Sequence, residues 1–306
     1  MKRVLILLCG AGVWAQQPTP DEMPQELIWV GRDGRVLGRA SGQTQMSIYF
    51  PELSPDGHYA AVSARDSEVN DRDIWIHDLS RKTRRVLAPA KGNDNFPIWT
   101  PDGKDIVFTS SRSGQYELYR IGADSSASPQ LLLAYPESQY PRTVSSIRLW
   151  FTNATPTRRG LFTVPLDGGT PTPFLQHDTA WYDGAQRSRD GKWLAYVSNV
   201  GGPWEVYVCD VANPLRSKKV SRELAQGWAG FGGQVRWRAD GGELYYMMGD
   251  TMVAVTIAAD GTPGQPKRLF HLPGMKGHFP DEAPWLAKYD VTPEGDRFLF
   301  VRTAPR

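Results

Sequence analysis

Four aspartates sit at the third position of a recurring tetrapeptide. They are Asp56 in Ser54-Pro55-Asp56-Gly57, Asp102 in Thr100-Pro101-Asp102-Gly103, Asp190 in Ser188-Arg189-Asp190-Gly191 and Asp240 in Arg238-Ala239-Asp240-Gly241. A carboxylate repeated in this way could ligate a cation or move a proton. Its neighbours assign it a plainer role. Proline fixes φ at the first central position of a turn, aspartate suits the second, and glycine takes the left-handed position that closes a hairpin. The aspartates are therefore turn residues rather than catalytic ones.

A second set of charges lies upstream of the turns. The positions just before the apolar anchor of each such segment read Glu52, Ile98, Arg142, Gln186, Arg236 and Asp290. Arg142 and Arg236 could hold the carboxylate of a peptide ligand. The better-founded alternative is ion pairing with Glu52 and Asp290, because a partly desolvated charge needs a partner.

Aromatic and polar residues crowd the loops before these segments: Tyr49, Phe50, Asn95, Phe96, Gln139, Tyr140, Trp181, Tyr182, Asp183, Trp228 and Phe231. Around a concave mouth they would suit a peptide or a partner protein. Otherwise most of them plug gaps between packed sheets.

Other chemistry finds little support. The run Asp66–Asp73 offers oxygen ligands but lacks the glycine and glutamate spacing of an EF-hand. His58, His77, His177, His271 and His278 show no HxxxH spacing. No GxSxG elbow occurs. Cys209 reads as a buried, inert thiol. No metal and no cofactor is expected. The rival is an enzyme of the lactonase or lyase kind, whose metal ligands would converge on one mouth from distant segments.

The elements that position these residues form a repeat. Each turn is followed by an apolar run, such as Ile106-Val107-Phe108 or Trp193-Leu194-Ala195-Tyr196-Val197, and most repeats add a strand such as Asp73-Ile74-Trp75 or Glu117-Leu118-Tyr119. The glycines Gly57, Gly103, Gly191, Gly241 and Gly295 recur at intervals of roughly 45–55 residues, with one double interval. The double interval predicts a worn repeat around Tyr140–Phe151, which keeps its apolar strand and has lost its turn. The spacing predicts an all-β, six-bladed β-propeller of four-stranded antiparallel blades. Glu26–Gly38 reads as a third and fourth strand, and the chain's last apolar run, Phe298–Val301, as a second strand. The last blade is therefore expected to take two strands from each end, closing the ring and removing exposed sheet edges.

Composition is consistent with this architecture. The 306 residues include 11 Trp, 12 Tyr and 11 Phe, enough for a core between stacked sheets. Lys2-Arg3, the apolar run from Val4 to Leu8 and Val13-Trp14-Ala15 resemble a secretory signal cleaved near Ala15, the alternative being a first β-strand or a misplaced start. A lipoprotein through Cys9 is less favoured, because Leu8 is bulkier than a lipobox allows. Residues 1–15 are read as the signal, 16–25 as a linker and 26–306 as one propeller domain. Removing 1–15 leaves basic and acidic residues equal in number, so nothing suggests nucleic-acid binding.

The SPDG and TPDG turns, the run IVFTSSRSG and the ELY or DIW strands together resemble the TolB-like β-propeller repeat, over residues 26–302. The order of LIWVGRDGRVLG, DRDIWIHDLSRKTRRVL, VRWRADGGELYYM and YDVTPEGDRFLFV is closest to the propeller regions attached to bacterial Ser/Thr kinases. No GxGxxG, HRD or DFG motif precedes the propeller here. The resemblance implies a non-enzymatic scaffold or sensor module that binds a protein or peptide in the cell envelope. The expected protein is periplasmic or secreted, monomeric and without a transmembrane anchor.

Overall fold

The computed structural model describes residues 23–65, 71–154, 159–221, 235–272 and 288–305. The expected signal segment, Trp228, Phe231, His278 and the Asp66–Asn70 run lie outside the described residues. Strands β1 (Gln25–Gly31) and β2 (Val36–Arg39) come first. Blade 1 follows as β3 (Met46–Leu53), β4 (Tyr59–Arg65), β5 (Asp73–Asp78) and β6 (Thr83–Val86). Blade 2 is β7 (Asp94–Trp99), β8 (Asp105–Ser110), β9 (Glu117–Gly122) and β10 (Gln130–Leu133). Blade 3 is β11 (Gln139–Val144), β12 (Arg148–Ala154), β13 (Arg159–Pro165) and β14 (Thr172–Gln176). Blade 4 is β15 (Tyr182–Arg187), β16 (Trp193–Ser198), β17 (Glu205–Asp210) and β18 (Asn213–Lys219). Blade 5 is β19 (Arg236–Trp237), β20 (Glu243–Met248), β21 (Thr251–Thr256) and β22 (Lys267–His271). The last two strands are β23 (Tyr289–Val291) and β24 (Arg297–Thr303).

Each run of four forms one antiparallel sheet in chain order, and the sixth sheet is ordered β2-β1-β24-β23. The closure expected from the sequence is therefore present. β1 pairs with β24 along its whole length, from Gln25 opposite Thr303 to Gly31 opposite Arg297. Apolar clusters fill every junction between neighbouring blades around the ring. One joins Ala195 and Val208 of blade 4 to Leu244 and Val255 of blade 5, and another joins Leu27 and Leu299 of blade 6 to Val62 of blade 1. Second strands such as β8 and β16 are buried on both faces, whereas the outermost strand β2 is exposed throughout. Deleting a ring as buried as Phe298 removes both its transfer energy and its packing, about 3–5 kcal/mol.

The turns do what their residues imply. In the first, Gly57 has φ 73 and donates to Ser54 O at 2.8 Å. The Ser54 hydroxyl donates to Asp56 Oδ1 at 2.5 Å, which also accepts the His58 N–H at 3.0 Å. Thr100 with Asp102 and Ser188 with Asp190 repeat this. In blade 5 the Arg238 guanidinium takes the place of the hydroxyl, 2.8 Å from Asp240. Blade 3 keeps all four strands despite its worn turn. There Ser145 makes a shorter turn, donating from N to Arg148 O at 2.8 Å and accepting the Arg148 N–H on its hydroxyl at 2.9 Å.

Candidate functional site

The first strands of the blades lie against one another around the ring, and bulges interrupt several of them. Phe50 and Phe96 adopt φ 51 and 55, a left-handed conformation rare for bulky residues. The pairing register slips around them, between Tyr49 and Glu52 in β3 and between Asn95 and Ile98 in β7. Gly184 takes φ 57 at the matching slip in β15, between Asp183 and Gln186. A bulge re-aims its side chain, and here Tyr49, Phe50 and Phe96 come together in one buried cluster with Tyr140 packed against it. The residues read as loop from the sequence are thus mostly inner strand: Tyr49, Phe50, Asn95, Phe96, Gln139, Tyr140, Tyr182 and Asp183 all lie within β3, β7, β11 or β15.

These strands bring an aromatic arc together across three blades. Phe50 stacks on Phe96 with centroids 3.9 Å apart, and Phe96 meets Tyr140 at 5.0 Å. Tyr49 lies 6.0 Å from Phe50. Its ring has Lys288 Nζ at 3.6 Å and the Arg72 guanidinium at 4.8 Å. Lys288 and Arg72 were missed by sequence reasoning. The signal for Lys288 was its place two residues before Asp290, the position Phe50 holds relative to Glu52.

Arg142 ends the arc. Its guanidinium lies 4.9 Å from the Phe96 centroid and 5.8 Å from that of Tyr140. Nε donates to Thr152 Oγ1 at 2.9 Å, and the Asp183 carboxylate pairs with it at 2.7 Å. Burial works to lower the Arg142 pKa, against the pull of Asp183, and burial raises that of the Tyr140 phenol. A planar cation stacked on two rings is suited to a carboxylate or a further ring from outside.

The expected ring of charges needs one correction. Glu52, Ile98, Gln186, Arg236 and Asp290 are equivalent by pairing, opposite Ala61, Val107, Ala195, Tyr245 and Leu299. In blade 3 the equivalent is Thr143, opposite Trp150, and Arg142 is the residue skipped by the register slip. The lost turn of this repeat hid that offset. Arg236 pairs as expected, 2.9 Å from Asp290 and 3.5 Å from Glu52. Arg142 pairs with Asp183 instead.

The remaining candidates are structural in their contacts. Asn95 accepts the Ser63 hydroxyl at 2.9 Å. Gln139 is buried and donates to Tyr135 O at 3.0 Å. Tyr182 joins the apolar cluster between blades 3 and 4. Trp181 is half-buried, with its N–H on Asn199. Cys209 is buried in β17, and burial pushes its thiol up to about 12. Among the described residues no three His, Cys, Asp or Glu side chains are placed to hold a metal ion, and no helix is long and apolar enough to cross a membrane.

Fold and side-chain contacts define a closed six-bladed antiparallel propeller whose inner strands carry an aromatic cluster with a guanidinium beside it. Residues 36–148 match the family model described as the TolB beta propeller domain. An 80-residue stretch is 32% identical to an uncharacterized protein of Agrobacterium fabrum, covering 26% of each chain. A 94-residue stretch is 38% identical to the Tol-Pal system protein TolB of Alcanivorax borkumensis, covering 31% of this chain and 21% of that one. The matched stretches thus span about a quarter or less of these relatives' lengths. Among solved structures, a protein assigned as TolB from Agrobacterium tumefaciens superposes with TM-score 0.69 at 16% identity, over 93% of this chain and 99% of that one. An oligogalacturonate lyase in complex with manganese superposes with TM-score 0.59 at 15% identity, over 89% and 81%. The chain is thus a six-bladed β-propeller with a stretch, residues 36–148, that matches the TolB propeller model.

Proposed function

We propose that this propeller is an exported, non-enzymatic binding module that captures a protein or peptide of the cell envelope at the mouth of its channel. The observation that carries the reading is the arc Phe50–Phe96–Tyr140 ending on Arg142. Stacked rings with a desolvated guanidinium are the side chains from which binding hot spots are made. The names of the TolB relatives, which assign them to the Tol-Pal system, support an envelope role. The basic and apolar start of the chain supports export.

The test is retention of envelope-extract proteins on the immobilised protein, wild type against Tyr140→Ala. Tyr140 is half-buried, unlike Phe50 and Phe96, so its removal is compatible with folding. A specific species retained by the wild type and lost by the variant supports the reading. Identical profiles from folded wild type and variant overturn it.

A further inference from the structure

Glu52, Arg236 and Asp290 place two carboxylates and one guanidinium together on the first strands of blades 1, 5 and 6, with side chains 18%, 10% and 10% exposed. The two acids are not equally served. Asp290 lies 2.9 Å from Arg236 Nε and accepts the N–H groups of Leu53 at 2.6 Å and Val291 at 2.8 Å. Glu52 has the longer, 3.5 Å contact to Arg236. One guanidinium balances one carboxylate. Asp290, with two N–H donors and the nearer nitrogen, is the better place for the charge. With most of its side chain out of water and the Asp290 carboxylate beside it, ionisation of Glu52 is disfavoured.

The surroundings agree. The charged groups that act on Glu52 are Asp290 and Arg236. From β23, Tyr289 also lies under Arg236, its centroid 5.9 Å from the guanidinium, and burial holds that phenol neutral. From β4, Ala61 is opposite Glu52, and from β7 the Trp99 indole donates to the Glu52 carbonyl at 3.0 Å. Gln186 of β15 holds the equivalent ring position and carries no charge.

We propose that Glu52 is a proton-operated latch: as a neutral acid it lets blades 5, 6 and 1 close around Arg236, and its ionisation loosens that junction. The junction includes blade 6, the blade built from both ends of the chain. Burial, with the Asp290 charge beside it, pushes Glu52 up to about 8 from an ordinary 4.5. The folded protein thus holds a proton that the unfolded chain has lost. Stability from this group is complete below about 4.5 and is lost as pH rises towards 8.

The test is urea unfolding of the full chain between pH 6.5 and 8, wild type against Glu52→Gln. The buried His77 titrates below this window and does not interfere. The wild-type folding constant should fall about tenfold per pH unit, the limit for one proton. The Gln variant should be flat and should be the more stable at pH 8. Hydrogen exchange in β3, β19 and β23, corrected for intrinsic rate, should accelerate over the same range only in the wild type. Equal slopes for the two proteins overturn the proposal. If the variant does not fold, carboxyl NMR of glutamate-labelled wild type decides: one glutamate titrating near pH 8 supports the latch, and all titrating below pH 6 overturns it.

Discussion

Arg302 of β24 donates from Nε to Glu26 Oε1 of β1 at 2.8 Å, so the last strand grips the first through a charged side chain as well as through its backbone. Arg39 of β2 holds the other carboxylate oxygen at 2.6 Å. Glu26 itself is only 5% exposed. Its charge is tolerated there because two guanidiniums surround it. Three of the four strands of the closing blade are thereby tied at one residue.

Arg302→Met should therefore cost about 1.5–3 kcal/mol, the usual worth of a hydrogen bond to a buried charge. Urea midpoints would measure it. Arg81→Ala removes an ion pair to Asp78 whose guanidinium is 77% exposed, and should leave the midpoint unchanged. Equal effects from the two substitutions would contradict a special role for the closure.

The turn motif allows a sharper test of structure against chemistry. A Cβ on Gly103 would meet Pro55 at 3.6 Å, an ordinary contact, so the cost of Gly103→Ala is the left-handed backbone alone. About 1–2 kcal/mol is expected. Gly103→Asn should recover part of it, since asparagine tolerates this region. Asp102→Asn should leave partner retention unchanged. A variant that kept full stability but lost binding would return the turn aspartates to the functional site.

Blade number, the worn third repeat and the closure were all legible because they rest on local signals: a turn glycine, an alternating run, a half-blade at each end. The charge ring was legible at five positions for the same reason. It failed at Arg142, where a bulge shifts the register by one residue and no turn motif marks the offset. The bulges at Phe50 and Phe96 were also invisible, because left-handed aromatic residues run against propensity and are held by the stacking of one ring on the other. Lys288 and Arg72 come to Tyr49 from blades 6 and 1; the place of Lys288 two residues before Asp290 hints at its inner position, but nothing in the local sequence of Arg72 announces that meeting.

His77 gives a pH dependence of opposite sign to that of Glu52. It is buried in β5, with Nε2 2.8 Å from Gln45 Oε1. Burial, helped by Arg84, lowers it to about 4 from 6.5. The fold thus favours the neutral ring. Its contribution is complete above about 6.5 and is lost as pH falls through 4, on the order of 3 kcal/mol in all. His77→Gln should flatten the acid limb of the stability profile between pH 6.5 and 4 and leave the limb above pH 6.5 as it was. An unchanged acid limb would place the acid sensitivity elsewhere, and not on Asp94, whose raised carboxyl acts in the opposite sense.

Arg142 separates charge from shape at the mouth. Lysine keeps the charge but cannot lie flat between Phe96 and Tyr140 while pairing with Asp183 and Thr152. Methionine keeps the stem and loses the charge. If the bound partner presents a carboxylate, both variants should weaken retention about tenfold or more, the scale of a hot-spot residue. Salt should weaken the wild type and hardly affect the methionine variant. If the partner presents an aromatic ring, lysine should be nearly as poor as methionine at every salt concentration, since the stacking plane is what both have lost. Asp183 is 24% exposed, so water can take over from the lost guanidinium and the fold should survive either change. Wild-type retention by folded Arg142→Met would remove the arc's charged end from the binding surface and leave the aromatic rings as packing.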